Sequence, residues 1–360
     1  MKSEIFRSRL RSLGISAECI ETTVGDLELM AAYKYDNYEM YNTATRFFEH
    51  MLIWLRQFRE EHRETVLKFL GNKLVFISQK EMQDLARFLY YDRIVPEILK
   101  IIIHHEKLKP FSYATAFTSH FKNYLRHCLF VGLSDGSKID FFRRHHIDLS
   151  QEQVLPYYRT PAKDYLHKLR TETGNPDDNF HTVFLIDDFS GSGSTLIREE
   201  RSDTGKVSYE GVLNRVFDIH SEIMDQAENI YLCHYVATEE SIRHVTEMTN
   251  KIQAFRGKIK MLTSLVLRDE IRITPQNSSA DPLMSSMAEI CDIYYNKNYE
   301  DVNTSKKGGI KYGYGDVGLP LVLYSNTPNN SIYLLWYNAD SDKVKFSGLF
   351  NRINRHRPNN

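Results

Sequence analysis

His181-Thr182-Val183-Phe184-Leu185-Ile186-Asp187-Asp188-Phe189-Ser190-Gly191-Ser192-Gly193-Ser194-Thr195-Leu196 is the stretch on which the reading of this chain turns. Val183-Phe184-Leu185-Ile186 is too short and too β-branched to prefer helix, so it predicts a buried strand. The strand delivers two carboxylates, Asp187 and Asp188, to its carboxyl end. Small residues (Ser190, Gly191, Ser192, Gly193, Ser194 and Thr195) then turn the chain toward an expected helix. Glycine lets the backbone bend tightly and approach a ligand with no Cβ in the way. Amides and hydroxyls of Ser192, Gly193, Ser194 and Thr195 at a helix N-terminus would favour an anion such as phosphate. The two carboxylates can accept hydrogen bonds from vicinal ribose hydroxyls, directly or through bound Mg2+.

Other readings of the segment are weaker. A nucleotide-binding P-loop needs a Lys after its glycines, and Ser194 stands there instead. A Walker B strand also ends in paired acids, but no P-loop lies upstream and the glycine turn follows the acids directly. A flexible surface turn does not account for two adjacent carboxylates and a run of small residues at a strand end.

Outward from this segment, further apolar runs alternate with helical patterns. Leu129-Phe130-Val131-Gly132-Leu133 leads into the turn-forming string Ser134-Asp135-Gly136-Ser137-Lys138. Residues 230–236 and 259–267 make two more runs, with helices expected over 212–224 and 239–252. Strands alternating with helices predict an α/β domain with a mostly parallel sheet, whose ligands bind at the carboxyl ends of strands. Both small-residue loops fall there.

The first third reads as helices. Phe47, Phe48, Met51, Leu52, Leu55 and Phe58 recur at helical spacing within residues 43–58. Ser78 and Glu81 fit a capping box, and Met82, Leu85, Phe88 and Leu89 extend the apolar stripe. Leu74-Val75-Phe76-Ile77 is either a short buried strand or the end of a helix. The division expected is a helical region over 1–110 and an α/β domain over 111–360. Residues 198–205 read as an exposed charged excursion, and 277–281 and 298–311 as loops or a mobile cover.

The bulk properties narrow the function classes. With 360 residues, 42% of them hydrophobic and 26% charged, the chain can bury a sizeable core. Lys plus Arg number 46 against 47 Asp plus Glu, which argues against general nucleic-acid binding. Cys19, Cys128, Cys233 and Cys291 form no CxxC pair and read as buried free thiols. The N-terminus lacks the apolar stretch of a signal peptide, and residues 98–103 are too short an aliphatic run to span a bilayer. A soluble, cytoplasmic protein with no membrane association is expected.

The segment from Asp187 to Thr195 resembles the phosphoribosyl-pyrophosphate (PRPP) motif of type I phosphoribosyltransferases: apolar strand, two acids, three variable positions, Thr, Gly, any residue, Thr. Ser192 replaces the first Thr and keeps its hydroxyl, while Gly193 and Thr195 match. The resemblance implies that Asp187 and Asp188 serve the reaction by holding the ribose 2′- and 3′-hydroxyls, with Mg2+ bound indirectly through the ligand. It gives the 5′-phosphate to Ser192, Gly193, Ser194 and Thr195. It makes Ser134, Asp135, Gly136, Ser137 and Lys138 the best candidate for a pyrophosphate loop, with Arg143 and Arg144 beyond it as possible charge partners. A solvated basic face is the competing account of those two arginines, and adjacent His145 and His146 diverge on a helix, so a metal site there is not expected.

Departures matter as much. Purine salvage enzymes often carry an acid where Gly191 stands, so hypoxanthine or guanine salvage is not expected. The stretches Tyr33-Lys34-Tyr35 and Arg46-Phe47-Phe48-Glu49, Phe76-Ile77-Ser78 and Glu81-Met82, and Asn326-Thr327-Pro328-Asn329-Asn330 before Trp336 look like a narrower group. It comprises the phosphoribosyltransferase-like proteins of prokaryotic conflict systems, linked to anti-phage defence. Membership would imply a phosphoribosyl or nucleotide ligand acted on at C1′, and a partner protein of the defence system. The rival expectation is a non-catalytic nucleotide sensor that uses the same fold to control a partner, with the aromatic-rich helical third as its docking surface. Residues 326–330 read locally as a turn into a last strand over 332–336.

Overall fold

The computed structural model describes residues 2–41, 46–109, 111–112, 114, 119–146, 148–202, 204–277, 280–296, 309–341 and 344–352. In chain order its strands are β1 (Val75–Ile77), β2 (Cys128–Gly132), β3 (Val154–Leu155), β4 (Thr182–Ser190), β5 (Arg198–Arg201), β6 (Val207–Glu210), β7 (Asn229–Thr238), β8 (Ile259–Leu267), β9 (Leu321–Leu323), β10 (Asn338–Ser341) and β11 (Val344–Ser347). Five of them form one parallel sheet in the order β3-β2-β4-β7-β8. The mixed α/β fold with a mostly parallel sheet, flanking helices and a helical N-terminus is therefore the one the apolar runs indicate.

Burial on both sides explains why these strands read as continuous apolar runs. On one face Leu129, Val131, Val183, Leu185, Ile230 and Leu232 join a single buried cluster with Leu166, Leu169, Leu213, Val216 and Val245 of the helices Lys163–Thr173, Val212–Ile219 and Glu239–Lys251. On the other face Phe130, Phe184 and Tyr231 stand opposite one another in register. Their rings stack at 5.0 and 5.1 Å across three strands. Such a ladder fixes the register, because a one-residue slip would send every ring to the opposite face.

The chain divides into two compact units that do not follow a boundary at residue 110. One holds residues 82–267 and the parallel sheet; the other joins residues 1–81 to 268–360. The C-terminal part thus belongs with the first helices rather than with the α/β sheet. Its reason is long-range pairing: β1 runs parallel to β9, with Val75, Phe76 and Ile77 opposite Leu321, Val322 and Leu323. Within the ambiguous run at residues 74–77, Val75–Ile77 is a strand because this partner exists. Residue 110 itself lies outside the described residues.

Within the unit built on β1 and β9, the aromatic residues make a core. Tyr35 packs on Phe47 and Phe76 at 4.7 and 5.1 Å, and Phe350 packs on Tyr38, Phe47 and Phe76 at 5.3–5.8 Å. These rings are buried, so they are interior packing. The helix expected over 43–58 is described from Phe47 to Leu55, residues 42–45 lying outside the described set. Ser78 and Glu81 form the expected capping box, with Ser78 N and Oγ donating to Glu81 Oε2 at 2.9 and 2.8 Å. Residues 326–330 make the expected turn, but 333–336 form a helical turn and not a last strand. Trp336 Nε1 donates to Ser331 O at 2.8 Å, which coils the segment back on itself instead of extending it. Of the two loop or cover segments, 278–279 and 297–308 lie outside the described residues. Asp281 is the cap of the helix Pro282–Tyr294 and pairs with Lys73.

Candidate functional site

Strand β4 runs on through the acidic pair to Ser190, so Asp187 and Asp188 sit in extended backbone beside β7 rather than beyond the strand. Asp187 is bridged to the neighbouring loop by Ser134, whose Oγ donates to its Oδ1 at 2.5 Å; the Asp188 amide donates to the same oxygen at 3.1 Å. Asp188 reaches the loop as well. A Cβ on Gly136 would lie 2.7 Å from Asp188 Oδ2, so a side chain there would push the carboxylate aside. The acidic pair and the string from Ser134 to Lys138 are thus brought together.

That string is a capped single turn. Ser134 Oγ accepts from Gly136 N at 3.0 Å and Ser134 O from Ser137 N at 3.1 Å. Buried Tyr235 of β7 donates its hydroxyl to Ser137 O at 2.9 Å and fixes the far end. Lys138 has φ 49°, a left-handed conformation that starts the helix Ile139–His145. Asp135 is exposed and Ser137 buried. Arg143 and Arg144 lie in the last turn of that helix, away from the loop end. His146 is fully buried and its Nδ1 donates to Phe142 O at 2.6 Å.

After Ser190 the chain departs from expectation. No helix follows directly: Gly193 O accepts from Leu196 N and Ile197 N, closing one turn. The charged excursion then folds as the hairpin β5–β6, with Arg198 opposite Glu210 and paired to it at 3.1 Å. The helix resumes at Val212, whose amide donates to Thr195 O while Leu213 N donates to Leu196 O. The hairpin is spliced in after the first turn. Gly211 allows the return, because a Cβ there would lie 2.1 Å from Leu196 O.

The small-residue loop is pinned from the helix Glu239–Lys251. Ser190 Oγ is buried and bonded to Ser241 Oγ at 2.6 Å, and Thr238 Oγ1 donates to Gly191 O. His244 Nε2 donates to Ile197 O at 2.8 Å. Gly193 takes φ 73° with its Cα against Val245 and Ser241, where a Cβ would come within 2.9 and 3.1 Å of them. Ser192 and Ser194 pair their hydroxyls at 2.9 Å, and Thr195 is exposed. Among the described residues, the backbone N–H groups of Ser192, Gly193 and Thr195 donate to no protein acceptor. Three such donors in a fixed turn beside two carboxylates suit a ligand carrying both a phosphate and a diol.

Sequence reasoning passed over a neighbouring element. Strand β3 is two residues long, too short for a periodicity signal, and it ends in Pro156-Tyr157-Tyr158-Arg159 beside the Ser134 loop. Tyr158 N donates to Gly132 O at 2.8 Å, and Arg159 Nε donates to the Tyr158 hydroxyl at 3.1 Å. It also missed Thr238, Ser241 and Tyr235, since anchoring residues two strands away leave no local signature.

A parallel sheet with an acidic pair and two small-residue loops at its carboxyl edge defines a phosphoribosyltransferase-like protein. The family model PRTase-CE matches residues 51–352, and the chain belongs to that family. No curated protein sequence and no solved structure matches it. Among the described residues no helix is long and apolar enough to cross a membrane.

Proposed function

We propose that the carboxyl edge of the sheet binds a 5-phosphoribosyl ligand, PRPP or a nucleotide, together with Mg2+, and acts at ribose C1′. The observation that carries this reading is the unbonded amide set of Ser192, Gly193 and Thr195 next to the pair Asp187 and Asp188. The amides would take the 5′-phosphate and the carboxylates the 2′- and 3′-hydroxyls. Mg2+ is a hard cation that keeps waters and shares oxygens with substrate phosphates. Among the described residues no three acidic, His or Cys side chains gather to hold a metal alone, so the ion would arrive with the ligand and meet Asp187 and Asp188 through it. In transfer, the bond from C1′ to its leaving group breaks, the leaving group takes the electron pair, and a base, nucleotide or water supplies the new bond and loses a proton. The loop from Ser134 to Lys138 would hold pyrophosphate, its amides and Lys138 stabilising the charge that develops there.

Gly191 supplies no side chain to protonate or deprotonate a base, which favours a second reading: binding without turnover, as a nucleotide sensor controlling a partner protein. Calorimetry with PRPP and Mg2+ tests the site: wild type binds and the variant Asp187→Asn, Asp188→Asn does not. Equal binding by both sinks the site. Release of pyrophosphate or free base on incubation then separates enzyme from sensor. The resemblance to conflict-system proteins also suggests cytoplasmic anti-phage defence by nucleotide depletion or modification. Phage plating on cells expressing wild type or the double Asn variant tests that, with protection expected from wild type alone.

A further inference from the structure

The helix Ala17–Tyr33, in the unit built on β1 and β9, has two unlike faces. Cys19, Ile20, Thr23, Val24, Leu27 and Ala31 are buried on one side. On the other, Leu29 is 56% exposed and Tyr33, one turn further on, is 73% exposed. Thr22, Gly25, Leu29 and Ala32 are all exposed and recur at alternating short and long steps along the helix. That is the spacing of a heptad seam, with Thr22 and Leu29 at a and Gly25 and Ala32 at d.

Two glycines touch this helix for different reasons. Gly71, on the helix Glu60–Asn72, faces the buried side: a Cβ there would lie 2.6 Å from the Thr23 methyl, so glycine lets the two helices pack closely. Around Gly25, nothing lies within 4 Å of where a Cβ would stand. Glycine inside a helix is destabilising relative to alanine, and no packing within the chain offsets that at Gly25. A helix arriving from outside would gain from the close approach.

Charge decides what such a helix must carry. Glu21 and Glu28 stand just before the two a positions and Asp26 just after a d position, where flanking charges set the choice of partner. Glu28 is paired with Arg7 at 3.3 Å, whereas among the described residues Glu18, Glu21 and Asp26 form no ion pair. Two copies of this face would set acid against acid in either orientation, which selects against self-pairing. A basic flank would find opposite charge along the whole seam.

We propose that the exposed face of the helix Ala17–Tyr33 docks a helix of a partner protein, apolar along its own seam and rich in Lys or Arg on its flanks. Leu29 and Tyr33 are the apolar anchors, and Gly25 sets how near the partner backbone comes. The partner is defined by this surface, whatever ligand the α/β unit binds.

The test is fluorescence anisotropy on the full chain with two labelled synthetic helices of heptad design, each with Leu at a and d. One carries Lys at every e and g position and the other Glu, so like charges keep each from pairing with itself. Wild type should bind the Lys helix roughly tenfold more tightly than the Glu helix. Gly25→Gln puts a better helix former at an open position, so it should raise the melting temperature while weakening the Lys helix by roughly tenfold. Those opposite movements separate lost docking from lost folding. Glu21→Lys, Asp26→Lys together should remove the preference for the Lys helix. No binding of the Lys helix by wild type, equal binding of both helices, or a preference that either variant leaves unchanged overturns the docking face. Ultracentrifugation without peptide covers the remaining occupant: a dimer formed by wild type and lost in Gly25→Gln would give the face to a second copy and overturn the basic partner.

Discussion

Ser134 Oγ donates to Asp187 Oδ1 at 2.5 Å, so one hydroxyl couples the loop after β2 to the acidic pair of β4. The same hydroxyl accepts from Gly136 N at 3.0 Å, which makes the shape of the loop and the orientation of the carboxylate a single arrangement. A hydrogen bond to a charged group contributes about 1.5–3 kcal/mol, less where solvent competes. Ser134→Ala should therefore weaken binding of PRPP with Mg2+ by roughly tenfold, with Ser134→Thr retaining most of it. Calorimetry on the three proteins checks this, and equal affinities would show that Asp187 needs no such holder.

Gly136 and Gly193 should fail in different ways. An alanine Cβ at Gly136 would press on the Asp188 carboxylate at 2.7 Å, in a half-exposed loop with no backbone strain. Gly136→Ala should lower ligand affinity while leaving the melting temperature nearly unchanged. Gly193 combines φ 73° with Val245 and Ser241 close by. Gly193→Ala should cost stability as well, about 1–3 kcal/mol, measured by urea unfolding. Equal stability losses in both would contradict the distinction.

Two buried imidazoles predict a pH dependence. His234 of β7 is fully buried with neither ring nitrogen hydrogen-bonded among the described residues, and His146 is buried beside Tyr90 at 4.2 Å. Burial lowers both from the ordinary His value to about 4. The unfolded chain takes up these protons near pH 6.5, whereas the folded one resists until about 4, so their stability contribution is full above 6.5 and is lost as pH falls toward 4. Each adds a slope of up to about 1.4 kcal/mol per pH unit in that window. Unfolding free energies at pH 7.5 and 5.0 should differ by less in His234→Gln than in wild type. An unchanged difference would mean that His234 is not held neutral.

Thr327 illustrates a motif residue with a structural task. It is fully buried, its hydroxyl lies 2.9 Å from Tyr38 Oη and 3.2 Å from Phe350 O, and its carbonyl accepts from Arg352 at 2.7 Å. Thr327→Val keeps the shape and removes the hydroxyl, leaving Tyr38 with one partner fewer. A loss of about 1–3 kcal/mol in urea unfolding is expected. No change would show that Tyr38 is satisfied by Asn351 O alone.

The sequence by itself determined the alternating strands and helices, the acidic pair with its glycine turn, and the Ser78–Glu81 cap. Each rests on contacts within a few residues: apolar runs of strand length, a hydroxyl three residues from a carboxylate, glycine where the chain bends. Tertiary structure alone decided the rest. Residues 75–77 became a strand only by pairing with β9, which also joined the chain's two ends into one unit. The segment at 333–336 coiled because Trp336 found Ser331 O. The helix after the small-residue loop was interrupted because the alternating charges of residues 198–210 pair as a hairpin. Ser134 and Asp187 are 53 residues apart. Their meeting depends on the strand order β3-β2-β4, which a long-range register of buried side chains sets and no local pattern encodes.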